Sequence, residues 1–189
     1  MGNVLQPVAF QDHGSPRPQG NSTVLVDAVL EGAREKGAEV KAFNLNALNI
    51  KGCQACGACH KNKDIFCVQK DDMHPIYEAI ADADAVVIGS PIYMAQMSAQ
   101  TMLFLNRLYA FMYTTQDGKS HFKIGPKRVV TVYSQGAPMA GHYVPYFDMS
   151  DASFGMMLQG KVESRIVCAN AYTDELIADA REAGKKLAE

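Results

Sequence analysis

With 189 residues the chain has the length that one domain can bury around a substantial core, and a hydrophobic share of 48% suits a globular protein. Eighteen Lys and Arg against twenty Asp and Glu leave a formal net charge of -2 with no basic block, which argues against nucleic acid or an anionic membrane as partner. No apolar run is long enough to span a bilayer and no charged-then-apolar leader opens the chain, so the expected location is cytoplasmic, where thiols stay reduced.

Residues 4–10 form an apolar run interrupted by Pro7 and read as a first strand. The loop after it, 12–23, is crowded with turn formers and hydroxyls, and it leads straight into a helix over 24–36, where Val24, Leu25, Ala28, Val29 and Ala33 recur at helical spacing. Strand, polar loop and helix start in that order gather backbone N–H groups and the positive end of a helix dipole, which suits an anion. The glycine fingerprint of dinucleotide folds is missing, as is the phosphate loop that ends in Gly-Lys-Ser/Thr. Ser15, Arg17, Asn21, Ser22 and Thr23 stand there instead, with enough hydroxyl, amide and guanidinium donors to wrap one phosphate. The plain alternative is that Ser22 caps the helix.

Gly37 ends this helix, and residues 39–45 alternate as a second strand. A cysteine-rich segment separates it from a helix over 71–81, with Asp72 as its cap. Residues 83–88 make a third strand apolar enough for the centre of a parallel sheet. A loop over 90–97, a helix from Ser98 to about 112, a polar loop over 114–126 and a fourth strand over 127–133 follow. A helix over 142–157 with Pro145 near its start, a fifth strand over 162–168 and a helix over 173–187, capped by Thr173 or Asp174, complete the chain. Five alternations of strand and helix call for a parallel sheet covered on both faces. In the strand order 2-1-3-4-5 the loops 12–23, 90–97 and 134–138 would border one crevice at the strands' carboxyl ends, where such sheets bind ligands.

Four of the five cysteines, Cys53, Cys56, Cys59 and Cys67, fall at spacing Cys-x2-Cys-x2-Cys-x7-Cys. Cysteines that merely pack are scattered, whereas thiolates two residues apart can converge on one centre if the backbone curls, as Gly52 and Gly57 allow. Bacterial ferredoxins open with the same two gaps, but their last ligand comes sooner and precedes a proline, and here Val68 follows Cys67. A four-cysteine zinc site is the metal alternative, although structural zinc more often uses two pairs split by a longer arm. An iron-sulfur cluster is favoured over zinc or free thiols. His60 inside the segment could replace a thiolate on zinc, but a solvated loop histidine is its plainer state. Along residues 98–112, Met102, Phe104, Leu108, Tyr109 and Phe111 exceed what one helix face needs, which predicts a homodimer or homotetramer through that surface.

Gly14-Ser15-Pro16-Arg17 with Gly20-Asn21-Ser22-Thr23, then Gly89-Ser90-Pro91-Ile92-Tyr93 followed by Ser98-Ala99-Gln100, with the four cysteines between them, resemble the motifs of one family. It is the flavodoxin-like NADPH-dependent FMN reductase superfamily, in its iron-sulfur flavoprotein branch. The resemblance implies an α/β, flavodoxin-like, doubly wound five-stranded parallel sheet of order 2-1-3-4-5 with helices on both faces. It further implies a single domain over 1–189 with a cluster-binding insertion at about 50–70. FMN would have its phosphate held by Ser15, Arg17, Asn21, Ser22 and Thr23. Pro91, Ile92 and Tyr93 would meet its ring, and Ser134, Gln135 and Gly136 would close the other side. Cys53, Cys56, Cys59 and Cys67 would bind a 4Fe-4S cluster. The implied activity is electron transfer or NAD(P)H-dependent reduction of FMN or a quinone, with NAD(P)H as donor and a redox protein or small molecule as acceptor. No side chain is singled out as catalytic. A function of another class stays open: a non-catalytic zinc-binding module on the same scaffold.

Overall fold

The computed structural model describes residues 7–11 and 19–189. Its main sheet is built on β3 (Ala85–Tyr93), whose residues are buried as far as Ile92, as expected of a strand that helices cover on both sides. Parallel neighbours flank it: β1 (Pro7–Gln11) and then β2 (Lys41–Asn44) on one side, β7 (Arg128–Gln135) and β8 (Val162–Ala169) on the other, in the order β2-β1-β3-β7-β8. Alternate side chains serve two cores. Ala85 and Val87 of β3, with Val130 and Val132 of β7, pack under α1 (Asn21–Glu35) and α6 (Asp174–Leu187). Val86, Ile88, Val129 and Tyr133 belong to the opposite core, with Ile76 and Ile80 of α3 (His74–Asp82), Phe104 of α4 (Ala99–Arg107) and Phe147 and Phe154 of α5 (Val144–Met157).

The two helices of the first layer touch backbone to backbone. A Cβ on Gly184 would stand 1.8 Å from the Val29 carbonyl oxygen, and one on Gly32 would stand 1.9 Å from that of Arg181. The α6 start is closed by Thr173, whose side chain accepts the Leu176 N–H at 3.2 Å.

Several expectations need correction. β3 runs five residues past 88 and turns back through Met94 and Ala95, with φ of 47° and 64°, into the antiparallel β4 (Gln96–Met97), so the sheet carries a sixth, short strand. The stretch 114–126 is not a plain loop, since β5 (Met112–Thr114) and β6 (Ser120–Phe122) form a hairpin there. Asp72 does not cap α3; it accepts the Asn49 N–H at 2.7 Å, tying two loops together. Helix α4 ends at Arg107 and gives way to a tight turn, and Phe104, Leu108 and Phe111 are fully buried. The apolar excess of residues 98–112 is therefore mostly core, with Tyr109 the large apolar side chain of the group left exposed. Among the described residues no helix is long and apolar enough to cross a membrane.

Candidate functional site

The start of α1 lies beside the end of β3. Helical periodicity in apolar residues begins at Val24, but the helix itself begins at Asn21, because polar Asn21, Ser22 and Thr23 can occupy a first turn. Its N-cap is Gly20 and, among the described residues, no side chain caps it, so Ser22 is not the cap and the positive end of the dipole points where an anion would be favoured. Gly89 of β3 permits the close approach: a Cβ there would lie 2.4 Å from Val26 Cγ2.

This junction opens into a cleft of about 240 Å³. Asn21 and Ser22 line it from the helix start, and Pro91, Ile92 and Tyr93 from β3. Ser134, Gln135 and Gly136 line it from β7. Thr23, though buried, is not in the wall, and Ser15 and Arg17 lie outside the described residues. Tyr93 is 46% exposed, leaving a ring face open to a flat partner. Behind it Ser90 is fully buried; its Oγ accepts the Ser98 N–H at 3.1 Å and donates to the Pro91 carbonyl, which holds the strand end in place.

Gln135 shapes the far wall. Its Nε2 donates to the carbonyls of Ala137 and Met139, at 3.1 and 2.8 Å, while its Oε1 is buried without a partner among the described residues. A buried acceptor of this kind is normally satisfied by water or a ligand. The sequence reading missed Asn170, which follows β8 with φ of 66° and also lines the cleft. Its carbonyl accepts a hydrogen bond from Asn21 Nδ2 at 2.8 Å, and its N–H donates to the Gln135 carbonyl at the same distance. Its position just past the fifth strand's carboxyl end was the available signal. A helix start, an open aromatic face and an unsatisfied acceptor around one polar cleft fit a ligand with a phosphate and a flat, hydrogen-bonding ring.

The cysteines line a second, larger cavity of about 370 Å³ that shares no lining residue with the cleft among the described residues. Cys53, Cys56, Cys59 and Cys67 all contribute, the first two exposed, Cys59 buried and Cys67 half-buried. Left-handed Ala55 and Gly57, with φ of 51° and 69°, supply the curl between them. All four are free thiols, and among the described residues no three His, Cys, Asp or Glu side chains are gathered closely enough to hold a metal ion. The Gln69 N–H already donates to Cys67 Sγ at 3.5 Å. Burial pushes the Cys59 thiol pKa up, with Lys123 pulling against it. Four thiols around one chamber are the donor set that sulfur-bound iron requires. Cys168 is elsewhere, buried in the core under α1 and α6.

Arg107 in the chamber wall belongs to a buried ion pair. It bonds Asp71 through both terminal guanidinium nitrogens, and the two side chains are 1% and 0% exposed. Arg107 Nη1 also donates to the Lys51 carbonyl at 2.8 Å, while Asp71 accepts the Lys51 N–H at 3.1 Å, so residues on both sides of the cysteine segment are clamped to α4. Burial pushes the Asp71 carboxyl pKa up, but the Arg107 guanidinium and the Lys51 and Met73 amides outweigh it and hold it below the usual range. Arg107 lines the chamber, and its Nε is buried with no partner among the described residues. His60 is not merely solvated: its ring stacks on Tyr109 at 4.0 Å and its Nε2 lies 3.2 Å from the Tyr109 carbonyl.

A doubly wound parallel sheet whose strand ends meet a helix start around a polar cleft defines the flavodoxin-like class of α/β proteins. The profile of the NADPH-dependent FMN reductase family matches residues 8–143, and the chain belongs to that family of flavin oxidoreductases. An iron-sulfur flavoprotein from Archaeoglobus fulgidus is 29% identical over 177 residues, 93% of this chain and 76% of that protein. Another, from Methanocaldococcus jannaschii, is 38% identical over 103 residues, 54% of this chain and about half of its own length, at 51%. Among solved structures, the NAD(P)H:quinone oxidoreductase from Methanothermobacter marburgensis superposes with a TM-score of 0.70, covering 98% of this chain and 100% of that one at 16% identity. That last likeness speaks to the fold.

Proposed function

We propose that this protein is an FMN-binding iron-sulfur flavoprotein that moves electrons between NAD(P)H or a redox protein and a small-molecule or protein acceptor. The observation that carries the reading is the polar cleft in which an uncapped helix start, the open ring of Tyr93 and the partnerless Gln135 Oε1 come together. Asn21 and Ser22 would offer first-turn amides and polar side chains to the FMN phosphate, with Thr23 behind them contributing to the helix start, joined by Ser15 and Arg17. Pro91, Ile92 and Tyr93 would support the ring, with Ser134, Gln135 and Gly136 opposite. Gln135 Oε1 accepts a hydrogen bond in this arrangement, and its amide nitrogen keeps the 135–139 loop in place.

Cys53, Cys56, Cys59 and Cys67 would hold a 4Fe-4S cluster in the chamber. When bound, FMN supplies a carrier of one or two electrons and the cluster a carrier of one, so together they can convert pair transfer into single transfers. The names of the relatives support the second cofactor, and so does the presence of all four cysteines in the lining of one cavity. The chain would act as one domain, assembled as a homodimer or homotetramer, in the cytoplasm.

Anaerobic purification followed by flavin, iron, sulfide and zinc assay tests this directly. FMN with iron and sulfide in equal amounts is expected, and added NADH or NADPH should bleach the flavin. Zinc in the cysteine site of a colourless protein would favour the non-catalytic module instead.

A further inference from the structure

Lys123 follows the β5–β6 hairpin and reaches into the cysteine segment. Its Nζ donates to the carbonyl oxygens of Cys59 and Ile65, at 2.7 and 2.6 Å, and its own N–H donates to the Phe111 carbonyl at 2.8 Å. The side chain is partly buried and forms no salt bridge among the described residues. Burial pushes its pKa down, and the thiols of Cys59 and Cys67 pull the other way.

Two buried cations make a useful contrast. Arg107, also at the chamber, has its charge matched by Asp71. Lys127 likewise donates to two carbonyls, of Ala81 and Ala83, but these close the end of α3, where the helix dipole favours a cation and Asp82 and Asp84 are near. Among the described residues Lys123 has neither a helix end of more than one turn nor a carboxylate partner. A cation drawn partly out of water is better placed beside an anion than beside carbonyl oxygens alone, so its placement makes sense if the anion is what the cysteines hold. Four thiolates around an iron-sulfide core carry net negative charge, and one more electron adds to it.

We propose that Lys123 is a positioning residue that supplies the counter-charge for the cluster held by Cys53, Cys56, Cys59 and Cys67, favouring its reduced form. In that step one electron leaves the flavin or an added reductant and enters the cluster, with no bond made or broken. The inference rests on the cluster assigned under the proposed function.

The test is a potentiometric titration of the full chain reconstituted anaerobically with iron and sulfide, read by electron paramagnetic resonance. Lys123→Gln should make the cluster about tenfold harder to reduce at the wild-type midpoint, a drop of about 59 mV for a one-electron couple. The flavin midpoint should stay within about twofold on the same scale. A loaded Lys123→Gln with an unchanged cluster midpoint overturns the proposal. If that variant does not load, Lys123→Arg decides: a loaded cluster at the wild-type midpoint supports the counter-charge, and failure to load or a tenfold shift refutes it. Wild-type protein that takes up no iron would sink the cluster reading itself, a different outcome from a loaded cluster that ignores Lys123.

Discussion

The cleft and the chamber lie in one chain but are built by different means. Among the described residues, the cleft is walled by strand ends, the residues just past them and a helix start that the parallel sheet brings to the same edge, so topology does most of its assembly. The chamber wall is a loop with a single turn of helix, and it keeps its shape through partners far away in sequence: Asp71, Arg107, Tyr109 and Lys123. The first site should tolerate the loss of any one contact, whereas the second depends on a few clamps.

The largest effect that separates the two is expected from Cys56→Ser. It should remove iron and sulfide almost entirely while FMN content stays at the wild-type level, read by metal and flavin assay. Equal loss of both would mean that the sites are not independent. Next is Arg107→Met, which leaves Asp71 as a buried, unpaired charge and should destabilise the fold by about 3–5 kcal/mol in urea unfolding. Arg107→Met with Asp71→Leu should recover most of that. The pH dependence follows from the same pair. Asp71 has a folded pKa below its unfolded one, so its stabilisation is fully present above the unfolded value and disappears as pH falls through the folded one. Wild type and the double variant should therefore converge in stability as pH drops below about 4. A constant gap from neutral pH downward would show that Asp71 is not the group responsible.

The same contrast explains what could be read from the sequence. Strand apolarity and helical spacing located the five parallel strands and their covering helices, because burial on both faces leaves a continuous apolar run such as Ala85 to Ile88. The cleft residues Asn21, Ser22, Pro91, Ile92, Tyr93, Ser134, Gln135 and Gly136 were legible for a related reason: ligand sites follow strand ends. Asn170 escaped because the reading of strand ends stopped at the fourth strand. The chamber's cysteines were visible through spacing, but their supports were not. Nothing local marks Arg107 as the partner of Asp71, 36 positions away, and a polar stretch such as 114–126 looks like a loop until its hairpin pairs. The apolar count over 98–112 likewise could not tell Phe104 and Phe111, in the core, from Tyr109, on the surface.

Smaller effects sharpen the comparison from the side of the cleft. Gly89→Ala would push a methyl against Val26 Cγ2 where α1 meets β3 and should destabilise by about 1–3 kcal/mol. Displacing the helix start should also weaken FMN binding, seen by fluorescence titration of the apoprotein, while iron content is unchanged. The smallest change is expected from Asn21→Ala. It removes one donor to the Asn170 carbonyl, an exposed hydrogen bond of the kind that contributes about 0.5–1.5 kcal/mol at most. Because the sheet still delivers Ser22, Tyr93 and Gln135 to the same edge, FMN affinity should fall by no more than about tenfold, the equivalent of 1.4 kcal/mol. A loss as complete as that of iron in Cys56→Ser would mean that the cleft, too, hangs on a single contact.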